Sequence, residues 1–149
     1  MIATRTRALI LTAACALGLA AAGCQTVGSV IGKGLTAQLS GAEEVPGPGD
    51  PDARGMAEVT TVDRTDNLCY ELSVSNIDTA TAAHIHRGAA GTAGPPIVTL
   101  DAPADGESNG CLAVPSELVD AIEANPAGFY INIHNPAFPN GALRGQLRR

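Results

Sequence analysis

All three histidines of this 149-residue chain fall in two short segments that alternate polar and apolar residues. His84 and His86 flank Ile85, and His134 follows Ile133. Side chains at positions i and i+2 of a β-strand point to the same face, about 6 to 7 Å apart. Two imidazoles at that spacing can converge on one ion, and neutral imidazole is a ligand for zinc and copper. The histidines are therefore the candidate metal ligands of this protein.

A complete site requires the two histidine segments to be neighbouring strands. In that case three imidazoles collect on one outer surface, and a fourth coordination position stays open to water. A metal bound there would serve copper or zinc handling, or a redox reaction at an open copper. The alternative is a structural or solvated role, because histidines on strands often only cover a sheet or hydrogen-bond a nearby loop.

Short segments separated by Gly, Pro, Asn and Asp must position these histidines. One helix is predicted near 116–124, with Ser116 as its N-cap. The segment 42–54 holds three prolines and two glycines, which predicts an acidic loop. Strands are predicted at 35–41, 55–62, 67–75, 81–87, 96–100, 109–114, 128–134 and 142–148. This pattern predicts an all-β fold, either an antiparallel Greek-key β-sandwich or a Greek-key barrel, and of the two we expect the sandwich.

Alternation within the predicted strands separates a core face from an outer face. In the segment 128–134, Ile131 and Ile133 take the core face. Tyr130, Asn132 and His134 are left on the outer face, so we expect a half-buried strand there.

Two cysteines lie in the predicted domain. Cys69 and Cys111 are out of step with the large apolar residues of their strands, so both project from the outer face. In an oxidising compartment such a pair favours a disulfide, worth about 4 kcal/mol through loop-closure entropy. Two free thiols or a metal-binding pair are the alternatives.

The N-terminal segment 1–23 resembles a bacterial lipoprotein signal peptide. Arg5 and Arg7 precede an apolar run, Ala8–Ala22, that is too short to span a bilayer as a helix. Cys24 follows small residues and is the predicted lipidation site. Ordinary signal-peptidase cleavage just before Gly23 is the alternative.

The predicted domain organisation follows from this leader. Residues 24–34 form a tether or a first strand, and residues 35–149 form the domain. Acyl chains on Cys24 would bury methylene groups in a bilayer, so the membrane is the predicted partner. Gln25 is not the aspartate associated with inner-membrane retention. We therefore expect an exported, anchored protein at the outer membrane, in the periplasm or on the cell surface.

Composition limits the remaining classes of function. The chain has 9 Lys+Arg against 15 Asp+Glu, and 3% of its residues are aromatic. Nucleic acid is not an expected partner, because binding it needs clustered basic residues and aromatic stacking. The adjacent Glu43 and Glu44 would point to opposite faces of an extended chain, so they are a poor acid–base pair. Arg144 is expected to be solvated or paired with an acid.

Five sequence blocks in this order resemble the chordin (CHRD) domain: LSGAEEVP at 39–46, AHIHRG at 83–88, GPPIV at 94–98, FYINIHN at 129–135 and GALRGQL at 141–147. The resemblance extends from Leu35 to Leu147. It implies an extracytoplasmic β-sandwich of immunoglobulin-like shape, with family-pattern histidines at positions 84, 86 and 134. The family includes chordin, a secreted antagonist of growth factors, and many bacterial secreted proteins of unassigned activity.

The His-x-His strand is also similar to one in copper-zinc superoxide dismutase, another β-sandwich, where such a pair holds copper. The similarity covers only His84 and His86, and that enzyme needs more than three histidines for its paired metal site. We therefore expect a lipid-anchored, non-enzymatic binding or structural module of the cell envelope. The alternative is a copper- or zinc-binding protein that uses His84, His86 and His134.

Overall fold

The computed structural model describes residues 32–62 and 66–149. The predicted leader, Cys24 and residues 24–31 of the predicted tether lie outside these ranges. The described chain contains eight strands and one α-helix, α1 (Ser116–Ala124). The strands are β1 (Gly32–Ser40), β2 (Arg54–Val62), β3 (Asn67–Ser75), β4 (Ala82–Arg87), β5 (Pro96–Leu100), β6 (Glu107–Ala113), β7 (Phe129–His134) and β8 (Leu143–Gln146).

All eight strands join one antiparallel sheet, in the order β5-β4-β7-β8-β1-β2-β3-β6. The sheet curls until its two edges approach each other. Ser108 on β6 donates a hydrogen bond to the carbonyl of Asp101, just after β5, at 2.8 Å. The Tyr70 hydroxyl on β3 also hydrogen-bonds to Asp101. The all-β antiparallel fold with one short helix is thus confirmed as a nearly closed sheet, whereas the two-layer Greek-key arrangement stays a prediction.

Apolar side chains at alternate strand positions fill the interior of the curved sheet. Leu68, Tyr70 and Leu72 on β3 are buried, while Glu71 between them is exposed. Ile85 on β4 is fully buried. The two-residue period of the sequence therefore separates the faces as predicted and leaves the outer face to polar side chains.

The first strand begins at Gly32, earlier than the predicted start at residue 35. Gly32 pairs with Val62 and Gly34 pairs with Thr60 in the ladder with β2. This pairing holds two glycines that strand propensity alone does not favour. Of the two alternatives for residues 32–34, tether or strand, the strand is correct.

The helix occupies the predicted segment, but its predicted N-cap was wrong. Ser116 is the first helical residue, and Pro115 takes the cap position without a side-chain hydrogen bond. The carbonyl of Pro115 accepts hydrogen bonds from the Leu118 and Val119 amides, which starts the helix at the following residue. Val119 and Ile122 are buried and attach the helix to the core.

The outer face of β7 is covered, contrary to the half-buried strand that alternation predicted. Tyr130 and Asn132 are each 3% exposed, although both point away from the core. The predicted acidic loop is irregular apart from a 3-10 turn at Gly41–Glu43, and it packs on this face. Its Asp50 amide donates to the Ala142 carbonyl at 2.9 Å. A second loop, 88–95, covers Tyr130 through Gly94, so the outer side chains of β7 are shielded from water as far as Asn132, and His134 is half-buried.

Candidate metal centre

Strands β4 and β7 are neighbours in the sheet, so the fold brings the three histidines together. The register places His84 opposite Asn132, two residues before His134. His86 shares the face of His84, while Ile85 between them is buried in the core. The three imidazoles therefore meet on one outer face, which is the arrangement expected if the two strands were adjacent.

The imidazoles are close enough to share one ion. His84 Nδ1 lies 3.3 Å from His134 Nε2. One ring nitrogen from each histidine lies within 4.8 Å of the other two. In a tetrahedral site with bonds of about 2.0–2.1 Å, two ligand nitrogens lie about 3.3–3.4 Å apart. The nitrogens of His84 and His134 already have this separation.

Backbone carbonyls set the orientation of two of the rings. His86 Nδ1 lies 2.8 Å from the Gly94 oxygen, and His134 Nδ1 lies 3.1 Å from the Pro139 oxygen. Because a carbonyl oxygen can only accept, both Nδ1 atoms carry the proton and both Nε2 atoms present lone pairs. His86 Nε2 is buried and has no hydrogen-bond partner among the described residues. Histidines that bind metals are oriented by carbonyl and carboxylate partners in the same way.

Burial lowers the pKa of all three histidines, because removal from water disfavours the charged imidazolium. For His86, the hydrogen bond to Gly94 opposes this effect, whereas the charges of His84 and Arg144 reinforce it. For His134, the charges of the other two histidines act in the same direction as burial. The rings are therefore neutral at neutral pH, which is the state that coordinates a metal.

An acidic side chain that the sequence did not single out lies beside the histidines. Glu44 is buried, and Asn132 Nδ2 donates to its Oε1 and Oε2 atoms at 2.7 and 2.9 Å. Burial raises the pKa of Glu44 to about 7, against the lowering effects of Asn132 and of the Arg144 charge. Asn132 stands opposite His84, so Glu44 contacts a direct neighbour of the cluster. Nothing in the sequence distinguishes Glu44 from the exposed Glu43 before it.

Arg144 is buried, contrary to the expectation of a solvated or acid-paired side chain. It is 1% exposed, and its Nη2 atom donates to the carbonyls of Ala89 and Thr92, each at 3.0 Å. Its Cζ atom lies 3.5 Å from the centroid of the Tyr130 ring. The loop 88–95 folds over this outer strand position, which explains why alternation alone misplaced the residue.

A family model for the CHRD domain matches residues 35–147 of the 149-residue chain. This protein belongs to the CHRD domain family. Comparison with curated proteins and with solved structures gives no match. The histidine cluster, Glu44 and Arg144 all lie inside the matched region, so the candidate metal centre is part of the CHRD domain itself.

A disulfide joins Cys69 and Cys111 of the CHRD domain, as the sequence predicted. The two residues are direct partners in the register of β3 and β6, and their Cα atoms are 3.9 Å apart. The alternatives of free thiols and a metal-binding pair were wrong. CHRD domains are extracellular, and a disulfide fits an exported protein.

The CHRD domain contains one α-helix in the part of the chain that the structure describes, and it is nine residues long. No helix in residues 32–62 and 66–149 is long and apolar enough to cross a membrane. The predicted lipidation site, Cys24, precedes these residues.

Proposed function

We propose that this CHRD-domain protein is a non-enzymatic binding module that takes up a copper or zinc ion through His84, His86 and His134. The observation that carries the proposal is the orientation of His86. Its Nδ1 proton is committed to the Gly94 carbonyl, while its buried Nε2 lone pair lacks a partner in the described chain. A buried acceptor without a donor is unfavourable, and a metal ion would satisfy it.

The charge state of the cluster supports the same function. Three imidazoles pack together, with His84 and His134 in contact through their ring nitrogens. Burial keeps all three neutral, because it lowers their pKa values. The contact pairs the Nδ1–H of His84 with the lone pair of His134 Nε2, and a metal ion would bind in place of that proton.

The donor set suits either metal. Neutral imidazole binds both Zn²⁺ and Cu²⁺, and three protein ligands leave a fourth position for water or another small ligand. Affinity for a given nitrogen site normally rises from Zn²⁺ to Cu²⁺. In a direct competition we therefore expect Cu²⁺ to displace Zn²⁺.

Metal titration of the full chain in detergent tests the function. We expect 1:1 binding of Cu²⁺ and Zn²⁺ tighter than micromolar. His84→Ala should weaken metal binding by more than about 100-fold. Mutation of residues that only hydrogen-bond to metal ligands already lowers metal affinity by about 10–100-fold. Thr99→Ala is the matched control, because exposed Thr99 on β5 lies directly opposite His84 and is not a candidate ligand. Binding that is micromolar or weaker, or that survives His84→Ala, would contradict the proposal.

We further propose that Cys24 carries the lipid anchor and that the membrane is reached only through it. The support is the predicted lipoprotein-type leader, together with an exported type of domain. Cys24→Ser should move the protein from the membrane fraction to the soluble fraction. A wild-type protein that is already fully soluble would contradict the anchor and favour ordinary signal-peptidase cleavage.

We also propose that the curled sheet adopts the two-layer Greek-key sandwich that the family resemblance implies. The strand order supports the Greek-key connections, because β6 pairs with β3 and β7 pairs with β4, so the chain returns to earlier strands. A crystal structure tests this detail. Two packed layers about 10 Å apart would support it, and a round closed barrel would contradict it.

A further inference from the structure

Three side chains from neighbouring strands form a stack that begins with His86 of the histidine cluster. The Arg144 guanidinium lies 3.5 Å from the centroid of the Tyr130 ring. The His86 imidazole is nearly parallel to the same ring, at 15° and with a centroid distance of 4.8 Å. A guanidinium and an imidazole this close to one ring would overlap if they shared a face. Tyr130 therefore separates Arg144 from His86, and the positive charge lies behind a candidate metal ligand.

A second connection between Arg144 and His86 runs through the loop 88–95. Arg144 Nη2 donates to the carbonyls of Ala89 and Thr92. In the same loop, the Gly94 oxygen accepts from His86 Nδ1 at 2.8 Å and from the Tyr130 hydroxyl at 3.3 Å. The Gly94 amide donates back to the Tyr130 hydroxyl at 3.1 Å. Arg144 thus holds the loop whose carbonyl sets the orientation of His86.

The guanidinium is not there to form an ordinary ion pair. Arg144 is 1% exposed, and its Nη1 atom has no hydrogen-bond partner in the described part of the chain. Arg144 interacts electrostatically with Glu44, but the Glu44 carboxylate accepts its hydrogen bonds from Asn132. A buried, incompletely paired charge is unfavourable for folding, so its retention points to a role beyond stability.

We propose that Arg144 is a positioning residue of the metal site, acting on His86 through the Tyr130 ring and the Gly94 carbonyl. The inference rests on the proposed metal-binding function. It assigns two separate effects to one side chain. The planar guanidinium donates two hydrogen bonds to the loop and packs on the Tyr130 ring, which fixes both in place. Its positive charge disfavours Cu²⁺ relative to Cu⁺.

Copper-loaded full chain carrying Arg144→Lys or Arg144→Gln separates these effects. Arg144→Lys keeps the charge but loses the planar fork. We expect a changed Cu²⁺ electron paramagnetic resonance spectrum and a Cu²⁺/Cu⁺ reduction potential close to that of the wild type. Arg144→Gln also loses the charge. It should change the spectrum and shift the potential to a more negative value, because removal of the positive charge favours Cu²⁺ over Cu⁺.

A control and a second variant keep the test decisive. Exposed Arg54 on β2 donates to the Pro51 carbonyl at 2.9 Å and contacts neither the stack nor the loop 88–95. Arg54→Gln makes the same change of side chain there and should leave the copper spectrum unchanged. If the Arg144 variants do not fold, Tyr130→Leu removes the intervening ring and should change the spectrum in their place.

The possible failures are distinguishable. A wild-type chain that binds no copper overturns the proposed function and this inference together. A wild-type chain that binds copper while the Arg144 and Tyr130 variants keep its spectrum and potential overturns only this inference. Loss of stability in those variants without any spectroscopic change would assign Arg144 a purely structural role and would also overturn it.

Discussion

His84 Nδ1 and His134 Nε2 lie 3.3 Å apart, although 50 residues separate them in the chain. Neither ring is placed there by its own strand, since each strand only decides which face its histidine takes. The contact exists because β4 and β7 pair directly and because both imidazoles lie on the covered outer face. This pairing brings His134 to the His84–His86 pair and so forms a candidate site for one ion.

Metal binding should stabilise the folded protein, because the ligands are assembled only in the folded state. At a free Zn²⁺ concentration 100 times the dissociation constant, the free energy of unfolding should rise by about 2.7 kcal/mol. Urea unfolding with and without Zn²⁺ measures this change. His86→Ala should abolish it. Asn109→Ala, at an exposed position on distant β6, should retain it in full.

Glu44 should make the protein less stable as the pH rises. Its pKa in the folded protein is about 7, above its ordinary value of 4.5, so folding favours the protonated form. The stabilising contribution is complete below pH 4.5 and is lost as the pH rises through about 7. The side chain of Glu44→Gln cannot ionise. At pH 8 the free energy of unfolding of this variant should therefore exceed that of the wild type by up to about 3 kcal/mol.

Urea unfolding of both proteins at pH 5 and pH 8 measures this difference. Glu43→Gln is the matched control, because Glu43 is the exposed neighbour of Glu44. The same pH dependence in the wild type and in Glu44→Gln would show that ionisation of Glu44 does not affect folding.

Removal of the disulfide should lower stability without affecting the metal site. Cys69 and Cys111 are 42 residues apart, and the chain-entropy model gives a loss of about 4 kcal/mol for the double substitution by alanine. The bond lies between β3 and β6, whereas the histidines lie on β4 and β7. Calorimetry and Zn²⁺ titration of the double variant test both statements. A large loss of Zn²⁺ affinity in a folded variant would contradict the separation of the two features.

Gly94 should tolerate no side chain. A Cβ atom at this position would lie 1.7 Å from the Arg87 oxygen, so the loop would have to move and take the carbonyl that orients His86 with it. Gly94→Ala should cost about 1–3 kcal/mol of stability and weaken metal binding. Gly34→Ala is the control, because a Cβ there meets nothing within 4 Å. Equal metal affinity in the two variants would show that the Gly94 loop does not position His86.

The sequence predicted the strands to within a few residues because strand alternation is a local property. The His-x-His pair had to share one face, and Cys69 and Cys111 had to point away from the core, whatever the rest of the fold did. The prediction of Ser116 as the N-cap was wrong for an equally local reason. The carbonyl of Pro115 starts the helix one residue before the serine that resembles a cap.

The burial of Glu44, Asn132 and Arg144 could not be predicted in this way. Alternation assigned Asn132 and Arg144 to an outer face, and it was correct about their direction. Whether an outer face meets water depends on loops from elsewhere in the chain. Here one loop brings Glu44 to Asn132, and another brings two carbonyls to Arg144.

By itself, the sequence determined the type of each described element, the face of each histidine and of Cys69 and Cys111, and the family. These depend on residue order over short distances, which is directly readable. Only the tertiary structure decided which strands are neighbours, which carbonyls orient the imidazoles, and which charges are buried. Those outcomes come from packing between segments tens of residues apart, where the balance of burial and hydrogen bonding is set by the whole fold.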